Sequence, residues 1–222
     1  MPSDLRTRAI VLRRTNYGET DRILNLLTPE GKIAVLARGV RKEKSRLAGG
    51  IELFSVSDVV VHRGRSELGI LTSARMQKFY ANIMSDFDRV ELAGDLLKKL
   101  DRIAEQVETP TLFELLTEAL DGLNRNFTID IVRSWFNLNL ARISGEQVNL
   151  YTDVTGAKLS PDLAYLWNPY ERALEPVTGG QIGAKEIKLV RLMLVSHLGT
   201  VANIEDVDVL LTQLAPLFQT YK

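Results

Sequence analysis

Over the first 80 residues, short runs rich in branched apolar side chains are separated by turn residues, the pattern of a series of strands. Thr7 to Arg14, with Ile10, Val11 and Leu12, predicts a first strand, and Tyr17-Gly18 marks its turn. Thr20 to Leu27 predicts a second. Pro29-Glu30-Gly31 has the composition of a tight turn, and Lys32 to Val40 follows at hairpin distance, with Ile33, Val35 and Ala37 on one face. A charged stretch from Arg41 to Arg46 and the pair Gly49-Gly50 come next. Two more apolar runs, Ile51 to His62 and Leu68 to Arg75, flank Arg63-Gly64-Arg65-Ser66, which reads as a hairpin turn. Five short strands with little helix between them fit the five-stranded Greek-key oligonucleotide-binding (OB) barrel. An SH3-like barrel has a similar strand count, and counting does not separate the two.

After residue 80 the period becomes helical. Ala93, Leu96, Leu97, Leu100, Ile103, Ala104 and Val107 recur at three and four, the spacing of one helix face. Thr109-Pro110 reads as an N-cap followed by a first-turn proline, opening a stripe of Leu112, Phe113, Leu116, Ala119, Leu120 and Leu123. A third helix carries Val132, Trp135, Phe136, Leu140 and Ile143, with Gly145 as its stop. Residues 146–183 lose the pattern among prolines and glycines, with short strands expected around Ala164 to Trp167 and Ala173 to Val177. Ala184 to His197 predicts another helix, and Val207, Leu210, Leu211, Leu214, Leu217 and Phe218 a last one. The expected class is α+β: an OB barrel over 1–80, then an all-α helical domain over 81–222 with a loop-rich, cysteine-free insertion at about 146–183.

Charge sharpens this division. The chain is neutral overall, with 28 Lys and Arg against 28 Asp and Glu. Residues 1–80 hold 15 of the cations and 8 of the anions; residues 81–222 hold 13 and 20. A basic first part joined to an acidic second is a hint of a polyanion-binding region attached to something with another role. With no cysteine in the chain, disulfides, a catalytic thiol and thiolate metal sites are excluded. Asp4, Arg6 and Arg8 interrupt any signal-peptide pattern, and no apolar run reaches membrane-spanning length, so a cytoplasmic location is expected.

The familiar catalytic patterns are missing. Gly31-Lys32 is not a phosphate-binding P-loop, because Leu26 and Ile33 stand where that motif needs Gly and Ser or Thr. Neither a dinucleotide-binding glycine pattern nor a nucleophile elbow is present. His62 and His197 lie in no metal-ligand spacing and read as exposed or helix-capping residues. The acidic pairs Glu19/Asp21 and Asp86/Asp88 read as solvated carboxylates or partners of nearby arginines. No catalytic residue, metal or cofactor is expected.

The basic residues form the better constellation. Arg13 and Arg14 end the first strand, Arg22 lies in the second, Lys32 and Arg38 in the third, and Arg41, Lys42, Lys44 and Arg46 fill the following loop. On one side of a barrel they would track a phosphate backbone, releasing counterions. Tyr17, Phe54, Phe79 and Tyr80 are candidates to stack on bases; Phe54 reads as core, and Tyr17, beside a turn, is the best placed.

The stretch Tyr17-Gly18-Glu19-Thr20-Asp21-Arg22-Ile23-Leu24 resembles the signature of RecO DNA-repair proteins. So do Thr28-Pro29-Glu30-Gly31-Lys32-Ile33, Ala37-Arg38-Gly39-Val40-Arg41, Lys44-Ser45-Arg46-Leu47 and Leu68-Gly69-Ile70-Leu71-Thr72. The match is close over the first 80 residues and loose beyond. The resemblance implies an OB domain followed by a helical domain, and binding of single- and double-stranded DNA with annealing of complementary strands. It implies partnership with RecR and single-strand-binding protein, help to RecA in loading, and a place at the nucleoid. The acidic, phenylalanine-ended tail of single-strand-binding protein would suit an apolar groove between helices, with Lys98, Lys99 and Arg102 as candidate rim residues. Many relatives bind zinc through four cysteines after the helical bundle. Here Thr152-Asp153-Val154-Thr155-Gly156 stands where a first Cys-x-x-Cys-Gly would be, so a metal-free segment is expected, held by packing of Tyr165, Leu166, Trp167 and Tyr170. The alternative reading is an RNA-binding OB module, such as a ribosome or tRNA factor, because backbone contacts alone do not separate the two polymers.

Overall fold

The computed structural model describes residues 3–64, 66, 68–104 and 110–221. Two compact units divide the chain, Met1–Arg125 and Asn126–Lys222.

The first unit is built on a closed barrel of β1 (Ser3–Tyr17), β2 (Asp21–Thr28), β3 (Gly31–Ala37), β4 (Ser55–Arg63) and β5 (Gly69–Phe79), in the order β1-β2-β3-β5-β4. All pairings are antiparallel except β3 with β5. This order, with β1 paired to both β2 and β4, is the OB topology and separates it from the rival barrel. The first strand is longer than its apolar run suggested. Residues 3–9 pair with β4 and residues 10–17 with β2, and a register shift between Val11 and Arg13 marks the change of course. The third strand stops at Ala37, short of the expected Val40, and the fifth runs on to Phe79.

Alternation fills the barrel. Ala9, Val11, Leu24, Leu26, Val35, Ala37, Val59, Val61 and Leu71 form its core, with Ile33 packed against it. Ile51 and Phe54 are buried as expected, but they precede β4 rather than lie in it. A short 3-10 turn at Ala48–Gly50 carries the chain in, and Phe54 takes a left-handed φ of 56°. Gly50 meets the backbone of β5 so closely that an added Cβ would sit 2.4 Å from the carbonyl oxygen of Ala74. That approach leaves no room for a side chain at Gly50.

Ile10 and Leu12 alternate with Ala9 and Val11 and are also buried, on the face where α1 (Phe87–Ile103) packs on β1. Asp86 caps α1, its carboxylate accepting from the Arg89 amide at 3.0 Å. The α1 stripe is buried as its period predicted, through Leu92, Ala93, Leu96, Leu97 and Leu100. Val107 and Thr109 lie outside the described residues; Pro110 itself stands at the cap position of α2 (Thr111–Asn124), which packs on α1.

In the second unit α3 (Ile129–Ile143) ends on Gly145, whose φ of 79° lets the Glu146 amide reach back to the Ala141 carbonyl. The hairpin β6 (Tyr165–Asn168) and β7 (Ala173–Pro176) follows, then α4 (Ala184–Val195) and the short α5 (Leu198–Val201). The expected last helix is two, α6 (Val207–Gln213) and α7 (Ala215–Gln219), because Pro216 in the first turn of α7 breaks the ladder. α3 packs against α4, α6 and α7. Inside the loop-rich segment Tyr165 and Trp167 are buried, but Leu166 and Tyr170 are exposed, Tyr170 at 95%. Alternation along β6 turns Leu166 outward, so those two do not hold the segment. No helix among the described residues is long and apolar enough to cross a membrane.

Candidate nucleic-acid interface

Two groups stand out among the cations of β1, β2, β3 and the loop after β3. The first lies at one end of the barrel, where the β1–β2 hairpin tip meets the loop after β3. Asp21 joins them: its Oδ1 accepts from the Gly39 amide at 2.7 Å and the Thr20 hydroxyl at 3.0 Å. The Arg41 amide donates to the Thr20 carbonyl at 2.9 Å, and its guanidinium to the Gly18 carbonyl at 3.3 Å. Gly39, with a φ of 62°, allows the turn. The Gly39 and Thr20 hydrogen bonds outweigh desolvation and, with the charges of Arg38 and Lys42, hold the Asp21 carboxyl below its ordinary pKa. Around this junction Arg38, Arg41, Lys42, Lys44 and Arg46 are exposed, beside Tyr17, which is 55% exposed. Arg22 is half-buried and donates to Asn16.

The second group is drawn against α1. Lys32 keeps only 9% of its side chain exposed, and its ammonium contacts the Asp101 carboxylate at 2.9 Å and the Asp101 carbonyl at 2.6 Å. Arg13 meets the same carboxylate at 3.0 Å and Asn25 at 2.7 Å. Three strands thereby clamp the last turn of α1, and Lys32 also satisfies a carbonyl that a helix end leaves without a partner. Burial by itself would raise the Asp101 carboxyl. Hydrogen bonds from Lys32 and Asn25, with the charges of Lys32 and Arg13, outweigh it and hold the pKa below the usual carboxylate value. Arg14 pairs with Glu52 at 3.2 Å. Neither Asn25 nor Asp101 stands out in the sequence, because their partners lie 76 and 69 positions away.

Between the start of β3 and the β4–β5 connection the barrel is slotted. β3 pairs with β5 only at Val35 and Leu36, and a cavity of about 430 Å3 opens beside Lys32, Ala34, Arg63 and Ser66. Of the stacking candidates, Phe54 and Tyr80 are buried, while Phe79 is 44% exposed. Arg65 lies outside the described residues.

The sequence comparisons bear on this barrel. Residues 1–80 match the family described as Recombination protein O N terminal. The N-terminal segment belongs to the RecO family. The chain is 34% identical to the DNA repair protein RecO of Roseiflexus sp. (strain RS-1), over 72% of this chain and 62% of the relative. It is 34% identical to that of Dehalococcoides mccartyi (strain ATCC BAA-2266 / KCTC 15142 / 195), over 67% and 59%. For Alkaliphilus metalliredigens the figures are 33%, over 70% and 64%. The matches span about three fifths of the length of these relatives. The RecO-like stretch Tyr17 to Leu24 supplies the hairpin tip and its Asp21, and Ala37 to Arg41 the loop tied to it.

Residues 152–156, which by resemblance stand where a zinc-binding Cys-x-x-Cys-Gly turn would be, do not fit that metal. The Thr155 hydroxyl and amide donate to Asp153 Oδ1 at 2.6 and 2.8 Å, the Ala157 amide donates to it at 3.1 Å, and the Thr152 hydroxyl accepts from Asn149. Hydroxyls already engaged this way are poor zinc ligands, and the carboxylate ties the turn together itself. Among the described residues no group of three or more His, Asp or Glu is placed to hold a metal.

Lys98, Lys99 and Arg102 lie on α1, where Lys98 is exposed and paired with Asp95 at 3.0 Å. The second unit has a groove of about 500 Å3 between α3, α6 and α7, floored by Leu211 and Phe218 and edged by Asp130, Arg133 and Asp208. His62 meets Asp4 at 2.9 Å on the strand surface, and His197 stands at the cap position of α5.

Replacing Tyr17 with alanine is expected to weaken single-stranded DNA binding by roughly tenfold, the scale of one base–aromatic stack. Duplex binding, whose bases are already stacked, should stay nearly unchanged. Fluorescence anisotropy with matched single- and double-stranded oligonucleotides checks this; an equal loss on both substrates would remove stacking from the account.

Proposed function

We propose that this chain binds DNA backbones on the rim of its barrel and serves recombinational DNA repair. In this reading it anneals complementary single strands and assists the loading of RecA onto strands covered by single-strand-binding protein. The observation that carries it is the cluster Arg38, Arg41, Lys42, Lys44 and Arg46 beside exposed Tyr17, on an OB barrel whose segment belongs to RecO. Exposed cations screen the repulsion between two phosphate backbones while leaving bases free to pair. Backbone contacts set no sequence preference. The step is non-covalent, so no catalytic residue, metal or cofactor enters it. Single- and double-stranded DNA are the ligands, with single-strand-binding protein and RecR as protein partners, in the cytoplasm at the nucleoid.

The test is annealing of labelled complementary oligonucleotides coated with the cognate single-strand-binding protein, without nucleotide. Acceleration that fades as salt rises is the expected result. Good DNA binding without acceleration overturns the mediator role, and a preference for RNA in a parallel competition assay assigns the barrel to RNA instead.

A further inference from the structure

We infer that Asp21 is a positioning residue of this interface, the latch that holds the loop cations and the hairpin tip in one binding-ready arrangement. The inference rests on the nucleic-acid reading of the rim. An aspartate among Arg38, Arg41 and Lys42 repels phosphate, so on charge alone its removal should tighten binding. Its hydrogen bonds say the opposite. Asp21 opens β2, and its Oδ1 takes the Gly39 amide at 2.7 Å across 18 positions of sequence, with the Thr20 hydroxyl on the same oxygen. Gly39 is the pivot between Arg38 and Arg41, and the Arg41 amide returns to the hairpin at the Thr20 carbonyl. The loop from Arg38 to Arg46 has no strand or α-helix of its own. Val40 anchors the loop in the barrel core, and these bonds tie it to the hairpin; the one to Gly39 is made by a charged acceptor, the stronger kind. A loop fixed before a strand arrives does not have to be ordered by it, which is where preorganisation adds affinity.

Three substitutions separate latch from charge. Asp21→Asn removes the charge and keeps an acceptor oxygen in place. Asp21→Ala removes both. Asp21→Glu keeps the charge and displaces the acceptor by one methylene. Binding is read by anisotropy with a single-stranded oligonucleotide. The expected order puts Asp21→Asn at least level with the parent protein. Asp21→Ala falls roughly fivefold below Asp21→Asn, the scale of ordering one or two freed side chains, and Asp21→Glu falls similarly below the parent. Hydrogen exchange at the Gly39 amide should quicken in the Ala and Glu variants. Equal affinity of the Ala and Asn variants, or of the Glu variant and the parent, overturns the latch; the second comparison decides if Asp21→Ala does not fold. A parent protein that binds no strand instead sinks the nucleic-acid reading, and Gly39 exchange still reports whether the latch exists.

Discussion

Glutamate in place of Arg38, Arg41, Lys42 and Lys44 together is expected to lower affinity for single-stranded DNA on the order of a hundredfold or more near 0.1 M salt. These side chains are exposed, and only Arg41 donates to another group of the described residues, so the substitutions remove few internal bonds. Each phosphate contact on a single strand contributes about 0.7 to the slope of log K against log salt. Losing several contacts should therefore flatten the slope as well as lower the affinity, and should do so alike on unrelated sequences. Binding isotherms at three salt concentrations, with circular dichroism to verify the fold, provide the measurement. A folded variant with unchanged affinity and slope would falsify the rim as the site. A smaller loss is expected for Lys32, which is nearly buried against the Asp101 carboxylate.

That clamp carries the second large effect. Asp101→Ala is expected to destabilise the protein by about 2–4 kcal/mol, because it leaves the Lys32 ammonium nearly buried and without its carboxylate. Lys32 and Asp101 are 9% and 13% exposed, so solvent screens the pair far less than a surface bridge. Lys32→Met should cost less, since Asp101 keeps Arg13 and Asn25 and the stem is replaced by apolar volume. Urea unfolding of the three proteins orders them; a smaller loss in Asp101→Ala than in Lys32→Met would contradict the clamp. Acid should mimic the alanine. The folded carboxyl is held below its unfolded value, so its contribution is present above the unfolded pKa and is lost as pH falls through the folded one.

Periodicity located the strands and helices because burial on one face is a local property of the chain. It set their limits less well wherever a distant partner decides. The first strand extends past Thr7 and Arg14 because two different strands pair with its two halves. Ile51 and Phe54 are as apolar as strand residues, yet a 3-10 turn before them and the left-handed φ of Phe54 keep them out of β4. The apolar stripe on either side of Pro216 reads as continuous, which hides the break it makes between α6 and α7. For the rim, residue type was readable and position was not. Nothing in the sequence distinguishes Lys32, drawn against α1, from Lys42, left in solvent. Asp21 looked like a solvated carboxylate, since its partner is a backbone amide and leaves no trace in side-chain patterns.

The divided pairing of β1 also bears on how the barrel comes together in time. The β1–β2–β3 meander joins neighbours in sequence through tight turns, so it can assemble from local encounters. Closure requires residues 3–9 to find β4 beyond two other strands and a long loop. The entropy of closing that loop falls on this pairing and on the short parallel contact of β3 with β5. The rate-limiting event in folding should thus be the docking of β4 and β5 on the meander, and a polypeptide still emerging from the ribosome must hold the leading half of β1 unpaired until β4 is made.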